Sequence, residues 1–306
     1  MNLSVQLAPN HPRGLRLRNP VMTAAGTFGY GTEYSQLVDI QRLGAIVCKG
    51  TTLEPREGNP QPRMMETSAG LLNSVGLQNI GIEAVIEEKA PLWASWQVPV
   101  IVNLAGETIA EYTELASRLE GVAGVGAIEL NVSCPNVASG DEFGTRPETA
   151  AQVTEAVKAA TSLPLLVKLT PNVTDITEIA CAVARAGADA ISLINTLKGM
   201  AIDITKQAPF LGNLTGGLSG PAIKPIALFM VYKVAAVVDI PIIGCGGITY
   251  AKDALEFIMA GATAVQVGTA SFADPHAALD VLEGIGRFLE KEGIQDIAEL
   301  VGVARR

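Results

Sequence analysis

Short apolar runs rich in β-branched residues recur along this chain. Positions 21–25, 45–49, 100–104, 127–131, 165–169, 190–194, 241–244 and 264–267 read as strands. Between them, apolar residues recur at helical spacing over 32–43, 80–95, 107–119, 147–161, 175–186, 222–238 and 251–260. A last amphipathic stretch covers 275–292. Eight strands alternating with eight helices predict parallel βαβ units. Runs apolar at nearly every position, such as Ala45-Ile46-Val47-Cys48, fit strands covered on both faces. Eight such units in 306 residues match a (β/α)8 TIM barrel in size. A doubly wound open sheet is the competing architecture. No linker or composition break interrupts the pattern, so residues 1–306 are expected to form a single domain.

Loop lengths are asymmetric. Most helix-to-strand connections are short, as at Leu43-Gly44. Three strand-to-helix connections are long: 50–79, 132–146 and 195–220. All three leave the carboxyl ends of strands, where barrels place their chemistry. They show no clear periodicity, and they are rich in Asn, Gly, Thr and Pro. Loops of this kind are usually functional or disordered.

Composition narrows the classes. A hydrophobic content of 48% and a charged content of 17% supply a substantial core and argue against disorder. A net charge of −9 disfavours general nucleic-acid binding. The region 225–244 is broken by Lys233, Asp239 and Pro241 and is not a membrane span. The first ten residues carry no basic stretch followed by an apolar core, so no signal peptide is expected. The four cysteines, Cys48, Cys134, Cys181 and Cys245, are far apart and form no C-x-x-C pair, which suits neither a zinc site nor a cluster. Cys48, Cys181 and Cys245 read as buried small hydrophobes in a reducing compartment.

Cys134 stands apart. It lies in Asn131-Val132-Ser133-Cys134-Pro135-Asn136, a turn that directly follows an apolar strand. A thiol in that place suggests a proton-transfer group in a small-molecule site. Other polar residues fall where strands end: Lys49, Asn103, Asn131, Lys168, and the pair Asn195-Thr196. One strand-end Asn alone is more often a turn residue. Five such positions on successive strands would converge on one barrel mouth. Lysines within apolar strands are the more telling, since they rarely sit there without a partner.

Glycine-rich turns follow the last two strands, at Gly244-Cys245-Gly246-Gly247 and Gly268-Thr269. A third, Gly216-Gly217-Leu218-Ser219-Gly220, precedes the helix near Pro221. Glycine lets backbone N–H groups approach an anion, and the seventh and eighth loops of a barrel are its usual phosphate site. No P-loop and no dinucleotide fingerprint is present. The loop Asn73-Ser74-Val75-Gly76-Leu77-Gln78-Asn79 offers amides, each able to donate and accept. Taken by itself it reads as an ordinary polar turn.

These segments together resemble dihydroorotate dehydrogenase: NPVMTAAGTFG, VCKGTTLEPREGNPQPR, LLNSVGLQN, ELNVSCPN, VKLTPN, LINT, TGGLSGPAIKP, GCGGI and VGTA, in that order over about residues 17–270. The resemblance implies a barrel that binds FMN at its carboxyl mouth and oxidises dihydroorotate to orotate in pyrimidine synthesis. It makes Cys134 the catalytic base, which takes the C5 proton while flavin N5 takes the C6 hydride. The thiol marks the soluble class 1, because the membrane-associated class carries serine there. Substrate would be held by Lys49, by Asn73, Ser74, Val75, Gly76 and Leu77, and by Asn131, Asn136, Asn195 and Thr196. The flavin would be lined by Ala25, Lys49, Gly50, Asn103, Asn131, Lys168 and Ile194. Gly220, Gly246, Gly247, Gly268 and Thr269 would cradle its phosphate and ribityl chain.

AAGTFGYG and TGGLSGPAIKP are most similar to class 1B, the NAD-linked type. That implies a cytoplasmic homodimer core joined to a subunit carrying FAD and a [2Fe-2S] cluster, forming a heterotetramer. It implies neither a nucleic-acid nor a membrane partner. Class 1A, which reduces fumarate, is the alternative. Other FMN barrels, such as dihydropyrimidine dehydrogenase or tRNA-dihydrouridine synthase, are further rivals. A Schiff-base aldolase using Lys168 or Lys49 is a rival of another class. A non-catalytic phospholigand-binding subunit is the last.

Overall fold

The computed structural model describes residues 1–133 and 142–305. Its centre is eight parallel strands: β1 (Val21–Thr23), β2 (Ile46–Val47), β3 (Val100–Leu104), β4 (Val125–Asn131), β5 (Leu165–Leu169), β6 (Ala190–Leu193), β7 (Ile242–Cys245) and β8 (Ala264–Val267). Each pairs with its chain neighbour, and β8 pairs with β1. A parallel bridge from Met22 to Ala45 joins β1 to β2 and closes the ring. The result is the expected (β/α)8 barrel and excludes the open sheet. Every residue of β1, β2, β3, β5, β6, β7 and β8 is buried, as strands covered on both faces require.

Five of the expected helices form close to their expected limits: Ile109–Arg118, Pro147–Ala160, Ile176–Arg185, Ala251–Ala260 and Ala277–Glu292. Their starts are set by local chemistry. The Thr108 hydroxyl accepts from Glu111 N at 3.1 Å, and the Asp175 carboxylate accepts from Thr177 N at 3.0 Å. Gly293, at φ +72°, ends the last helix in a left-handed turn. The stretch expected at 222–238 forms a 3-10 turn, Pro221–Ile223, and a helix, Lys224–Val234.

Two helices depart from expectation. The segment 32–43 is a series of turns ending in a 3-10 turn, Ile40–Arg42. Gly29 and Gly31 take positive φ and fold the chain back, so Phe28 and Tyr34 stack with ring centroids 4.0 Å apart. The Glu33 carboxylate accepts from Tyr30 N at 2.9 Å and ties the bend. The stretch 80–95 is helical but holds a π turn, Val85–Lys89. Pro91 has no N–H to give the Glu87 carbonyl, and its ring crowds that turn, which widens locally to absorb it.

The long loops are more ordered than their sequence suggested. Strands Met64–Thr67 and Gly70–Asn73, from the first, join Gly216–Ser219 and Leu197–Gly199, from the third, in a four-stranded antiparallel sheet. Glycines make the close pairing possible: a Cβ at Gly70 would collide with the Ser219 carbonyl, and one at Gly217 with the Thr196 hydroxyl. A small hairpin, Ile202–Asp203 with Ala208–Pro209, adjoins it in sequence. Another, Val5–Gln6 with Arg16–Leu17, lies near the N-terminus. Among the described residues no helix is long and apolar enough to cross a membrane.

Candidate active site

Side chains alternate between the two faces of a strand. Asn103, Glu129, Lys168, Ser192, Cys245 and Gln266 share one interior face, because their side chains meet across the barrel. Asn103 Nδ2 donates to Glu129 Oε1 at 2.8 Å. Ser192 Oγ and Gln266 Nε2 both donate to Glu129 Oε2, at 2.9 and 2.6 Å. Lys168 Nζ donates to Gln266 Oε1 at 2.5 Å, and the Cys245 sulfur lies near enough to act on its charge. Glu129 is wholly buried.

The electrostatics follow from this geometry. Burial pulls the Lys168 ammonium down. The Cys245 sulfur and the Glu129 carboxylate outweigh that pull and hold it above the ordinary lysine range. Burial pushes the Cys48 thiol up to about 12, with the Glu129 charge adding to the rise. Lys49 is different. Its ammonium has no hydrogen-bond or ion-pair partner among the described residues. Burial lowers its pKa, Arg63 lowers it further, and Glu33 partly offsets both. An unpaired, half-buried cation at a strand end is a site for an anion.

The amides expected to hold substrate fall into two groups. Asn195 Nδ2 donates to Asn131 Oδ1 at 3.2 Å and to Ser133 Oγ at 3.0 Å, linking β4 to the loop after β6. Thr196 N donates to Asn195 Oδ1 at 2.8 Å. The other group lies in and after strand Gly70–Asn73. Asn73 Nδ2 donates to the Gly217 carbonyl at 3.2 Å, and Ser74 Oγ accepts from Asn59 Nδ2 at 2.9 Å. Val75 O accepts from Asn59 N at 3.0 Å. Gly76 and Leu77 both have positive φ, and the turn they make brings Leu77 beside Gly50 and Asn103. The loop read alone as an ordinary turn is therefore built onto the barrel mouth. Cys134 and Asn136 lie outside the described residues.

The glycine turns also converge. Gly246 and Gly247 take φ of +130° and +72°, and Gly220 takes +86°. A Cβ on Gly247 would stand 2.9 Å from both Gly220 O and Lys224 N, so only glycine keeps this pocket of backbone open. Ile194 borders Gly246, and Gly268 lies against Ala24, the neighbour of Ala25. Thr269 Oγ1 donates to Ser219 Oγ at 2.8 Å. Bare backbone turns with hydroxyls and a nearby buried ammonium suit a flavin phosphate and ring.

Three participants were missed in the sequence: Glu129, Ser192 and Gln266. Each sits in a mainly apolar strand on the same face as a residue that was identified. Glu129 lies two positions before Asn131, and that period of two was the signal. Cys48 and Cys245 are buried as expected, with the Cys245 sulfur also near Lys168, whereas Cys181 is only half-buried, its sulfur facing the Val237 carbonyl at 3.6 Å. Helix packing leaves it at the edge of its helix and not in the core. Among the described residues, no three His, Cys, Asp or Glu side chains cluster as metal ligands would.

A closed parallel barrel with lysines, amides and glycine turns gathered on its interior and carboxyl mouth is the arrangement of a barrel enzyme. The family model described as dihydroorotate dehydrogenase matches residues 9–289. The chain belongs to that family, is an oxidoreductase, and by its family uses a flavin. The Geotalea uraniireducens (strain Rf4) protein is 55% identical over 302 residues, 98% of this chain and 97% of the relative. That of Trichlorobacter lovleyi (strain ATCC BAA-1151 / DSM 17278 / SZ) is 59% identical over 289 residues, 94% of this chain and 95% of the relative. That of Geobacter sulfurreducens (strain ATCC 51573 / DSM 12127 / PCA) is 56% identical over 302 residues, 98% and 97% respectively. Each is named dihydroorotate dehydrogenase B (NAD(+)), catalytic subunit.

Proposed function

We propose that this chain oxidises (S)-dihydroorotate to orotate in de novo pyrimidine biosynthesis, as the FMN-bearing catalytic subunit of an NAD-linked enzyme. The observation that carries the reading is its similarity, over nearly its whole length, to relatives bearing that name. We take residues 1–306 as a single FMN-binding domain.

FMN, when bound, supplies a two-electron acceptor for the hydride that leaves substrate C6. The Cys134 thiolate takes the C5 proton as the C5–C6 double bond forms. The thiol reference pKa is about 8.5, so the rate rises with pH toward that value. Lys49, whose ammonium has no partner among the described residues, offsets the substrate carboxylate, and the ion pair restores its depressed pKa. Asn131, Asn195 and Thr196, with Asn73, Asn136 and the Ser74–Leu77 turn, meet the carbonyl and N–H edges of the ring. Lys168 keeps a positive charge where negative charge develops during reduction. Ala25, Gly50, Asn103 and Ile194 line the flavin ring. Gly220, Gly246, Gly247, Gly268 and Thr269 hold its phosphate and ribityl chain.

Electrons then leave to NAD+ through a separate subunit carrying FAD and a [2Fe-2S] cluster, on a homodimer core, in the cytoplasm. The word "subunit" in the relatives' names supports a separate carrier. The test is an anaerobic absorbance spectrum of the purified chain with FMN, before and after adding dihydroorotate. Bleaching of the bound flavin is expected. A flavin that binds and stays oxidised would overturn the substrate, and a chain that takes up no FMN would overturn the cofactor.

A further inference from the structure

Glu129 has no place in the proton and hydride transfers, yet it is wholly buried at the centre of the barrel interior. A carboxylate only accepts hydrogen bonds, so its neighbours must turn donors toward it. Gln266 therefore points its NH2 at Glu129, which leaves Oε1 facing the Lys168 ammonium. Asn103 likewise gives its NH2 to Glu129, which leaves Oδ1 facing the side of Gly50, where a Cβ would stand 3.1 Å away. Ser192 gives its hydroxyl hydrogen. We infer that Glu129 is the positioning residue of the flavin site: its negative charge sets the orientation of both amides, so that Asn103 offers a carbonyl and Lys168 is held in place as a cation. This rests on the flavin reading above.

A purely structural buried acid would have no need of this arrangement. Its charge would be met most directly by an ion pair, whereas here the cation is one amide away. Glutamine in place of Glu129 has nearly the same shape but turns an NH2 either toward Gln266 and Ser192 or toward Asn103. In the first orientation the Gln266 amide turns over and aims its own NH2 at Lys168; in the second the Asn103 amide turns over and loses the carbonyl it offers. In both the Lys168 ammonium loses the opposing charge while its burial remains. The titratable group left beside it is the Cys245 sulfur, and the Cys48 thiol, close enough to feel Glu129, is kept protonated by burial up to about 12.

The polarity can be restored by exchange. In the double variant E129Q/Q266E, the amide introduced on β4 accepts from Asn103 and donates to the carboxylate introduced on β8. That carboxylate pairs directly with Lys168. The charge count is that of the native chain, and the Ser192 hydroxyl, which gave its hydrogen to Glu129 Oε2, now accepts from the introduced amide.

The experiment measures the pH dependence of kcat and of the bound-flavin reduction potential in the native chain, E129Q and E129Q/Q266E, each loaded with FMN. In E129Q, kcat falls on the order of tenfold with KM for dihydroorotate changed less than about twofold. Its flavin potential falls by about 30 mV, the two-electron equivalent of tenfold. An ionisation absent from the native profile enters as Lys168, its opposing charge gone while its burial remains, loses its proton at lower pH than in the native chain. The double variant recovers the native profile. An E129Q profile matching the native one overturns the inference. So does a folded double variant that does not recover the native profile, which also decides the matter if E129Q alone is unstable. Failure of the native chain to bind FMN or to bleach would instead overturn the reading of function.

Discussion

The barrel staves and the small sheet over their carboxyl ends contribute to one site by different means. The staves are buried on both faces, so a polar group on their interior face is costly unless paired. There the charges are tied: Glu129 accepts three hydrogen bonds and Lys168 is joined to it through Gln266. The antiparallel sheet of Met64–Thr67, Gly70–Asn73, Gly216–Ser219 and Leu197–Gly199 is only half-buried and glycine-rich. It brings amides and backbone turns close together without burying charge. On the proposed function, fixed charge comes from the staves, and recognition of a planar polar ligand is shared between the stave ends and the cap.

Substitutions in each region test that division. The largest effect is expected outside both, in the turn after β4. Cys134→Ser lowers kcat at neutral pH on the order of 10²-fold or more, because serine is a far weaker acid, with FMN binding unchanged. Stopped-flow bleaching reads it, and equal rates across the pH range would remove Cys134 as the base. In the staves, Ile101→Ala destabilises the chain by about 2–5 kcal/mol, the range for a buried aliphatic truncation, as measured by denaturant unfolding. In the glycine turns, Gly247→Ala forces a side chain into a left-handed conformation against Gly220 O and Lys224 N. FMN affinity drops about tenfold or more by fluorescence titration, a cost of the order of one strained backbone position.

A smaller effect falls on the outer helices. Lys224 Nζ bridges Asp253 and Glu256, each at 2.7 Å, and Asp253 also accepts from Thr249 and Tyr250 backbone N–H groups. Burial raises the Asp253 pKa, but these bonds outweigh it and leave it lowered. A depressed carboxylate contributes stability that is complete above its unfolded pKa, about 3.9, and is lost as pH falls through the lower folded value. Asp253→Asn should cost about 1 kcal/mol at pH 7 and flatten the acid limb of stability against pH. An unchanged acid limb would assign that limb to other carboxylates. Least affected is Ile204→Ser, beside the hairpin that adjoins the mouth sheet, where the side chain is 85% exposed: a change within about 0.5 kcal/mol is expected by thermal unfolding.

The same contrast governs what could be read from the sequence. All eight staves were legible, because strands buried on both faces leave apolar runs, and so were the lysines and amides that interrupt those runs at strand ends. Glu129, Ser192 and Gln266 were not picked out, although their period of two was available. The two altered helices turned on single residues, Gly29 and Gly31 in one and Pro91 in the other, which override a helical apolar pattern. The mouth sheet left no alternation, because it is only half-buried and its pairing depends on glycines more than on apolar faces, and its central pair joins Leu71–Asn73 to the distant Gly217–Ser219.

The order of residues was enough to specify eight βα units and the types of group the chemistry requires, since burial and period are written locally in each segment; that the units close into a ring, against the competing open sheet, was decided by the fold. Which of those groups meet was settled by the folded chain. Hydrogen bonds across the barrel, from Gln266 to Glu129 and from Lys168 to Gln266, join residues far apart in the chain. Their orientation follows from one buried carboxylate that can only accept, a constraint that exists once the ring has closed around it.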